Sequence, residues 1–353
     1  MSADIIRYSI PLFFTLMGLE IYLSRKRGLG YYRFPDTFSN LSCGVLQQTA
    51  GLAIKIWFIF LFDWVYKNWS LQAVFGWPEW PRTWIYWIVA FLAVDFFYYW
   101  FHRLSHGVNF LWAAHVVHHQ SEEYNMAVAL RQGAIQNIFN FIFFVPLAVL
   151  GFSTETIAIC YSVNLIYQFW IHTRMVKTTG WAELILNTPA HHRVHHGVNP
   201  EYIDKNHAGV FIIWDRLFGS FAPERAEVVY GITTPLNTFN PLWAHVQPFV
   251  ALARQARAMP SWRDKLFVWI ARPGWRPESM GGTERPKPVS AATQKKFDVS
   301  VSSKRYFYVL SQFLILVGLS LALEPTLRSG RLALATAGAA LVIAGLGSLG
   351  GVI

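Results

Sequence analysis

Ten of the chain's twelve histidines fall in four places: HRLSH at 102–106, HVVHH at 115–119, a solitary His172, and HHRVHH at 191–196. On a helix, residues three and four apart share a face, so His102 and His106 can grip one ion. The same spacing joins His115 to His118 and His119, and His192 to His195 and His196. His191, four residues before His195, is a further candidate ligand. A single histidine at a helix end is ordinarily a structural or interfacial residue. Three boxes at helical spacing, each beside a long apolar run, are another matter: crowded imidazoles stay neutral, and a shared cation satisfies their lone pairs. The set is large enough for two ions. Imidazole suits zinc, copper, iron and nickel alike, so spacing leaves the metal open. The chain has no H-E-x-x-H of a zinc protease, and no Glu followed three residues later by His, the pattern of carboxylate-bridged di-iron bundles. His207 and His245 stand apart from the boxes and are expected to be structural.

The elements that must position these residues are membrane helices. With 353 residues, 54% hydrophobic and 17% aromatic, the chain is too apolar for an ordinary soluble domain. Of its net charge of +10, the stretch 171–305 carries most, with 18 Lys or Arg against 10 Asp or Glu. Lying between apolar runs, that surplus points to cytoplasm and anionic lipid headgroups and away from nucleic acid. About 20 apolar residues cross a bilayer core, and runs of that kind occupy 5–23, 41–66, 84–101, 306–323 and 332–353. The basic exit Arg25, Lys26 and Arg27 marks a cytoplasmic side and a retained anchor, with the N-terminus outside. Two shorter runs, 134–152 and 155–170, read as a hairpin that dips into the membrane and returns, ending at His172.

The expected fold is therefore all-α: a polytopic membrane helical bundle capped on the cytoplasmic face by the histidine boxes. Its expected parts are an N-terminal membrane anchor region (1–83), a catalytic domain (84–240), a cytoplasmic segment and linker (241–305) and a C-terminal membrane hairpin (306–353). Cys43 and Cys160 lie in apolar runs without paired spacing, which excludes a disulfide framework and argues against a thiolate site. No flavin- or nicotinamide-binding unit and no cytochrome-like domain is visible, so electrons must come from an external donor.

Metal-bound imidazoles hand their second N–H to a carboxylate or carbonyl. Asp95, two helical turns before His102 and costly inside a span without a partner, is one candidate for such support, and Asp204 is another. Asn164, Gln168 and His172, spaced by four, form a polar stripe that either ties helices together or faces substrate. Glu122, Glu123, Arg131, Arg193, Asp204, Lys205 and Asp215 are candidates to bind an electron donor, lipid headgroups or one another, and most are expected to form solvated salt bridges.

The boxes HRLSH, HVVHH and HHRVHH resemble those of the fatty acid hydroxylase and sterol desaturase superfamily. More narrowly, FFYYWFHRLSH, EEYNMAVALRQ, YQFWIHT, LNTPAHHRVHHGVNPEYIDKNHAGVFIIWDRLFGSF and VVYGITTPLNTFNP are similar to the alkylglycerol monooxygenases, over about residues 29–280. The resemblance implies a membrane oxygenase with two Fe ions held by histidine, using O2 and tetrahydropterin as reductant. It implies hydroxylation of the ether-bearing carbon of a membrane glyceryl ether, which collapses to an aldehyde and a free glycerol derivative. It also implies His102, His106, His115, His118, His119, His172, His192, His195 and His196 as ligands, with His191 alongside them. Two positions depart from the family's pattern: Gly107 stands where Glu is common, and His207 where Tyr usually follows DKN. The alternatives are a sterol desaturase or a fatty acyl or lipid headgroup hydroxylase of the same superfamily. A histidine-lined metal transporter is more remote, because transport needs ligands along a path at the bilayer midplane and these boxes adjoin span ends.

Overall fold

In a computed structural model, which describes residues 2–284 and 286–353, the chain is built from helices, with two isolated β-bridges, Leu186 to Phe211 and Gly197 to Tyr230, among the described residues. The membrane-length helices are α1 (Ser2–Lys26), α2 (Phe34–Trp69), which is followed by the short α3 (Leu71–Phe75), and α4 (Trp84–Gly107). The site helix α5 (Asn109–His119) and a single turn, α6 (Met126–Ala129), lead to the hairpin α7 (Gln136–Val149) and α8 (Thr154–Trp170). Short α9 (Pro189–His195) and α10 (Ile213–Leu217) sit in the long connection that follows. Then come α11 (Pro241–Ala258), α12 (Trp262–Phe267) and the terminal pair α13 (Ser303–Arg328) and α14 (Leu332–Val352).

Among the described residues, four helices are long and apolar enough to cross a membrane: Ile5–Lys26, Trp84–Gly107, Ser303–Arg328 and Leu332–Val352. Phe34–Leu52 and Trp57–Phe75, inclined by 54°, satisfy the same test together. Large apolar side chains stand exposed along these helices, among them Leu12 and Phe14 on α1, Ile85 and Ile88 on α4, and Leu314 and Ile315 on α13. Continuous apolar exposure on this scale requires a lipid surround, and the chain is an integral membrane protein.

Local chemistry sets the helix ends. Thr83 caps α4 by accepting from Tyr86 N, Ser153 caps α8 by accepting from Thr156 N, and Asn240 caps α11 with Pro241 in the first turn. At 14 residues α7 is only about 21 Å long. Its turn into α8 nevertheless reaches the level at which α4 begins. There Trp80 Nε1 donates to Leu150 O, Arg82 pairs with Glu155 at 3.0 Å, and the Tyr86 and Thr156 hydroxyls meet at 2.9 Å. Gly151, at φ +92°, makes this turn where a side chain would strike Gln72.

Several apolar clusters hold the bundle. Phe62, Val94, Tyr98, Leu147 and Ile157 join α2, α4, α7 and α8. Phe38, Phe313, Val342 and Leu346 pack the first half of α2 against α13 and α14. Ala113, Leu252, Met259 and Val268 seat α5 on α11. The spacing Gly345–Gly347–Gly350 matches the G-x-G-x-x-G of nucleotide-binding loops, yet it lies inside α14. There the missing side chains admit Leu316, Leu242 and the Asn240 backbone, so its role is packing. The stretch after Arg272 is no free linker. Gln294 donates to Tyr230 O, Lys296 pairs with Glu123 at 2.6 Å, and Phe297 N donates to Glu122 Oε2.

Gly133 tests this packing close to the site. A Cβ there would lie 2.1 Å from Ala114 O on α5, a backbone atom that cannot yield cheaply. Gly133→Ala is expected to destabilise the detergent-solubilised protein by about 1–3 kcal/mol. Gly18→Ala, with nothing within 4 Å, should leave the melting temperature unchanged or raise it. Equal melting shifts for the two variants would contradict this account.

Candidate metal centre

Nine of the ten candidate histidines converge in two groups. His102, His106, His115, His119 and His195 form the first; His118, His172, His192 and His196 form the second. Within each group every residue offers a ring nitrogen that lies within 4.8 Å of all the others, and all nine side chains are buried. In the first, the rings of His102, His115, His119 and His195 follow one another at 4.4–5.0 Å between neighbours, and His106 lies 4.7–5.3 Å from all four. Rings of the two groups touch where His119 stacks on His196 at 4.4 Å.

Hydrogen bonds fix the state of the rings. His102 Nδ1 donates to His207 O at 2.7 Å, His118 Nδ1 to Arg131 O at 2.8 Å, His172 Nδ1 to Gln168 O at 2.7 Å, and His195 Nδ1 to Lys205 O at 2.9 Å. His115 Nδ1 donates to the Gln136 side-chain oxygen at 2.9 Å. A carbonyl oxygen only accepts, so each Nδ1 carries the hydrogen and each neutral ring keeps a bare lone pair on Nε2. Bare nitrogens then face each other: His102 Nε2 and His115 Nε2 are 3.1 Å apart, and His118 Nε2 and His172 Nε2 are 3.3 Å apart. No proton is left to sit between them. The Nε2 atoms of His106, His195 and His196 are likewise buried without a partner. Lone pairs aimed at a common point in a dry interior suit a bound cation, and each group has the donors to hold one.

Burial drives the histidine pKa values down. His115 and His172 fall to about 4, and neighbouring imidazoles add to burial in holding His118, His119, His192, His195 and His196 well below the ordinary value. The rings are therefore neutral and ready to ligate at neutral pH.

The remaining expectations divide. His191 belongs to neither group; it packs edge-on against Phe221 at 5.4 Å and its carbonyl accepts from Asn206. Asp95 touches no histidine. It accepts from Asn164 Nδ2, Val210 N, Phe211 N and Trp214 Nε1, and so pins the 210–214 loop to α4 and α8. Asp204 Oδ1 stands 3.8 Å from His106 Nδ1, beyond hydrogen-bond reach. The stripe ties helices together, because Asn164 donates to Asp95, Gln168 to Asn164, and Tyr98 to Gln168, while His172 joins the second group. His207 lies beside the first group, 5.1 Å from His106, and His245 donates to Pro241 O.

The expectation of solvated salt bridges fails for four residues: Glu123, Arg131, Arg193 and Asp215 are at most 3% exposed. Arg131 donates to Val117 O, Ser39, Asn40 and Gln120, closing the C-terminal end of α5 while its own carbonyl holds His118. Arg193 grips Glu224 and the carbonyls of Thr173, Val176 and Lys177, which locks α9 to the segment behind His172. Sequence reading also missed Trp112, which covers His106 and His119, and Tyr124, stacked between His172 and Tyr230. Their only signal is an aromatic within five residues of a box.

The fatty acid hydroxylase family profile matches residues 87–220, the span that holds all nine histidines. Alkylglycerol monooxygenase of Homo sapiens is 40% identical over 316 residues, 89% of this chain and 70% of that protein. The Xenopus tropicalis alkylglycerol monooxygenase is 38% identical over 315 residues, 89% and 69% of the two chains. An ornithine lipid hydroxylase of Rhizobium tropici is 28% identical over 161 residues, 44% of this chain and 48% of that protein. No solved structure matches the chain.

Acid should dismantle the metal-free site. Unfolded histidines titrate near ~6.5, whereas His115 and His172 do so at about 4 in the fold. Between those values the unfolded chain binds more protons, so the contribution of burying these rings neutral is whole above the upper value and is lost as pH falls through the window. Chelator-treated protein should show a level melting temperature at neutral pH and a steady decline on acidification. A melting temperature that rose in that window would contradict the neutral assignment.

Proposed function

The chain belongs to the alkylglycerol monooxygenase family, and from that footing we propose that it is an O2-dependent di-iron monooxygenase hydroxylating the ether-bearing carbon of an alkylglycerol-type lipid. The observation that carries the reading is the pair of buried imidazole groups whose bare nitrogens converge. His102, His106, His115, His119 and His195 would hold one iron, and His118, His172, His192 and His196 the other. His191 is left out of the set because it lies in neither group.

When bound, the iron pair would activate O2, the oxidant, toward the C–H bond beside the ether oxygen, chemistry beyond the reach of any side chain. The chain's own contribution is position and dryness. Carbonyls of Gln168, Arg131, Lys205 and His207 hold four rings in a single tautomer, so the site is organised before substrate arrives. Trp112, Tyr124 and Tyr230 wall the groups with aromatic surface and keep water away. A lipid can offer its ether carbon to a site at the membrane boundary without leaving the bilayer. Electrons come from an external donor, with tetrahydropterin as the reductant.

Membranes containing the protein, given labelled 1-O-alkylglycerol and tetrahydropterin under air, should release a fatty aldehyde. Chelation of iron or His118→Ala should abolish the release. Full turnover after either treatment would sink the di-iron reading. Hydroxylated ornithine lipid with no aldehyde would move the assignment to a headgroup hydroxylase.

The reading also places the histidine end of a multi-pass bundle in the cytoplasm, supported by the basic exit at Arg25 and Lys26 and by the surplus of Lys and Arg in 171–305. Cysteines introduced at exposed Lys177 and Glu79 should react with an impermeant maleimide from opposite sides, Lys177→Cys from the cytoplasmic face alone. Labelling of both from the same side would overturn the topology.

A further inference from the structure

The segment 204–208 is wound in an unusual way. Asp204 and Asn206 both adopt φ of 55°, the left-handed region that non-glycine residues seldom enter. Between and after them the chain turns two carbonyls inward, Lys205 O onto His195 Nδ1 and His207 O onto His102 Nδ1. These two histidines are neighbours in the first group, with rings 4.4 Å apart. Asn206 keeps the winding in place: its side chain donates to His191 O and Ala222 O and accepts from Ala222 N, and its N–H donates to Ser220 O.

Behind this segment lies Asp215, 0% exposed, on α10. Its Oδ1 accepts from His207 N at 2.8 Å and from Ser220 Oγ at 2.7 Å, and its Oδ2 accepts from Ala208 N at 2.8 Å. Ala208 N and His207 O belong to one peptide unit. A carboxylate therefore grips the N–H edge of the peptide whose carbonyl edge holds His102, a chain of two hydrogen bonds in a dry interior. Such chains polarise one another: a negative charge at the N–H makes the carbonyl a stronger acceptor and the imidazole beyond it a stronger donor to metal.

We infer that Asp215 is a positioning residue for the first group, acting on His102 through the His207–Ala208 peptide. It does for this ring what a carboxylate touching the imidazole does in other metal sites, from one peptide further out. The inference rests on the di-metal reading above, and it predicts that the two ions respond unequally to the loss of this carboxylate. No bond to Asp215 leads to His118, His192 or His196, and His172 is held by Gln168 O on another helix.

Asp215→Asn keeps the shape but turns an NH2 group toward one of the N–H donors. Metal titration of the full chain in detergent, with iron and with Co(II) as a spectroscopic probe, should show one ion bound about 10–100-fold more weakly and the other unchanged. The Co(II) absorption of the weakened ion should be altered even at saturation. Ser220→Ala removes a third bond to Asp215 while leaving both peptide N–H bonds, and it should lower the melting temperature while leaving both affinities intact. Should Asp215→Asn fail to accumulate as folded protein, Asn206→Gly, which keeps the left-handed φ but drops the side-chain ties, should show the same loss of one ion. Folded variants that hold both ions as tightly as the unaltered chain, or that lose both in parallel, would overturn the inference. An unaltered chain that binds no pair of ions would instead sink the di-metal reading beneath it.

Discussion

Nine neutral imidazoles aimed at two small volumes in a dry interior form the constraint that the rest of the structure answers. A buried ring has two nitrogens to satisfy, and a buried polar atom left alone is expensive. The fold gives Nδ1 of His102, His118, His172 and His195 a backbone carbonyl and leaves Nε2 for the common point. Four carbonyls from three segments, one in the last turn of α8, one just after α6 and two in 204–208, must therefore be aimed at the rings and fixed. This explains why the connections around the site are ordered by side chains such as Asp95, Asn206 and Asp215 rather than by helix or sheet.

Two buried arginines belong to the same solution, although a cation beside a cationic site is unwelcome on Coulomb grounds. Each is kept apart by its partners. Arg131 sits at the C-terminal end of α5, where free carbonyls carry partial negative charge, and it spends four donors on neutral oxygens there. Arg193 lies inside the third box but points away from the converging rings, neutralised by Glu224 and fixed by three carbonyls. Each guanidinium thus holds the backbone on the far side of a histidine helix, while the near side is left to the rings.

The grouping of nine histidines was legible because helical spacing converts directly into a shared face, and the spans were legible because lipid demands length. His191 shows the limit of spacing. Four residues before His195, it fits a helix rule, but the face of α9 is centred by His192, His195 and His196, and His191 falls to one side of it against Phe221. Charge was less readable. Glu123, Arg131, Arg193 and Asp215 look like surface residues in a list of types, and only tertiary contact reveals that they are buried. The 204–208 carbonyls left no trace in composition, since a left-handed Asp or Asn cannot be told from any other. The stretch after Arg272, rich in Pro, Gly and Lys, carried the composition of a linker but is held by bonds to Glu122, Glu123 and Tyr230.

The short hairpin α7–α8 follows from the site rather than from the membrane. His115 is held by Gln136, the first residue of α7, and His172 directly follows the end of α8, so both ends of the hairpin must lie on the same side. Between boxes that share one centre, a segment that leaves the level of the site must return to it. One outgoing and one returning helix does so. Its turn is anchored level with the start of α4 by Trp80, Arg82 and Tyr86, where the hairpin has covered the apolar length of α4 and can reverse. A single helix of full span between Gln136 and His172 would put the second group's His172 on the wrong face of the membrane, and the two groups could not form together.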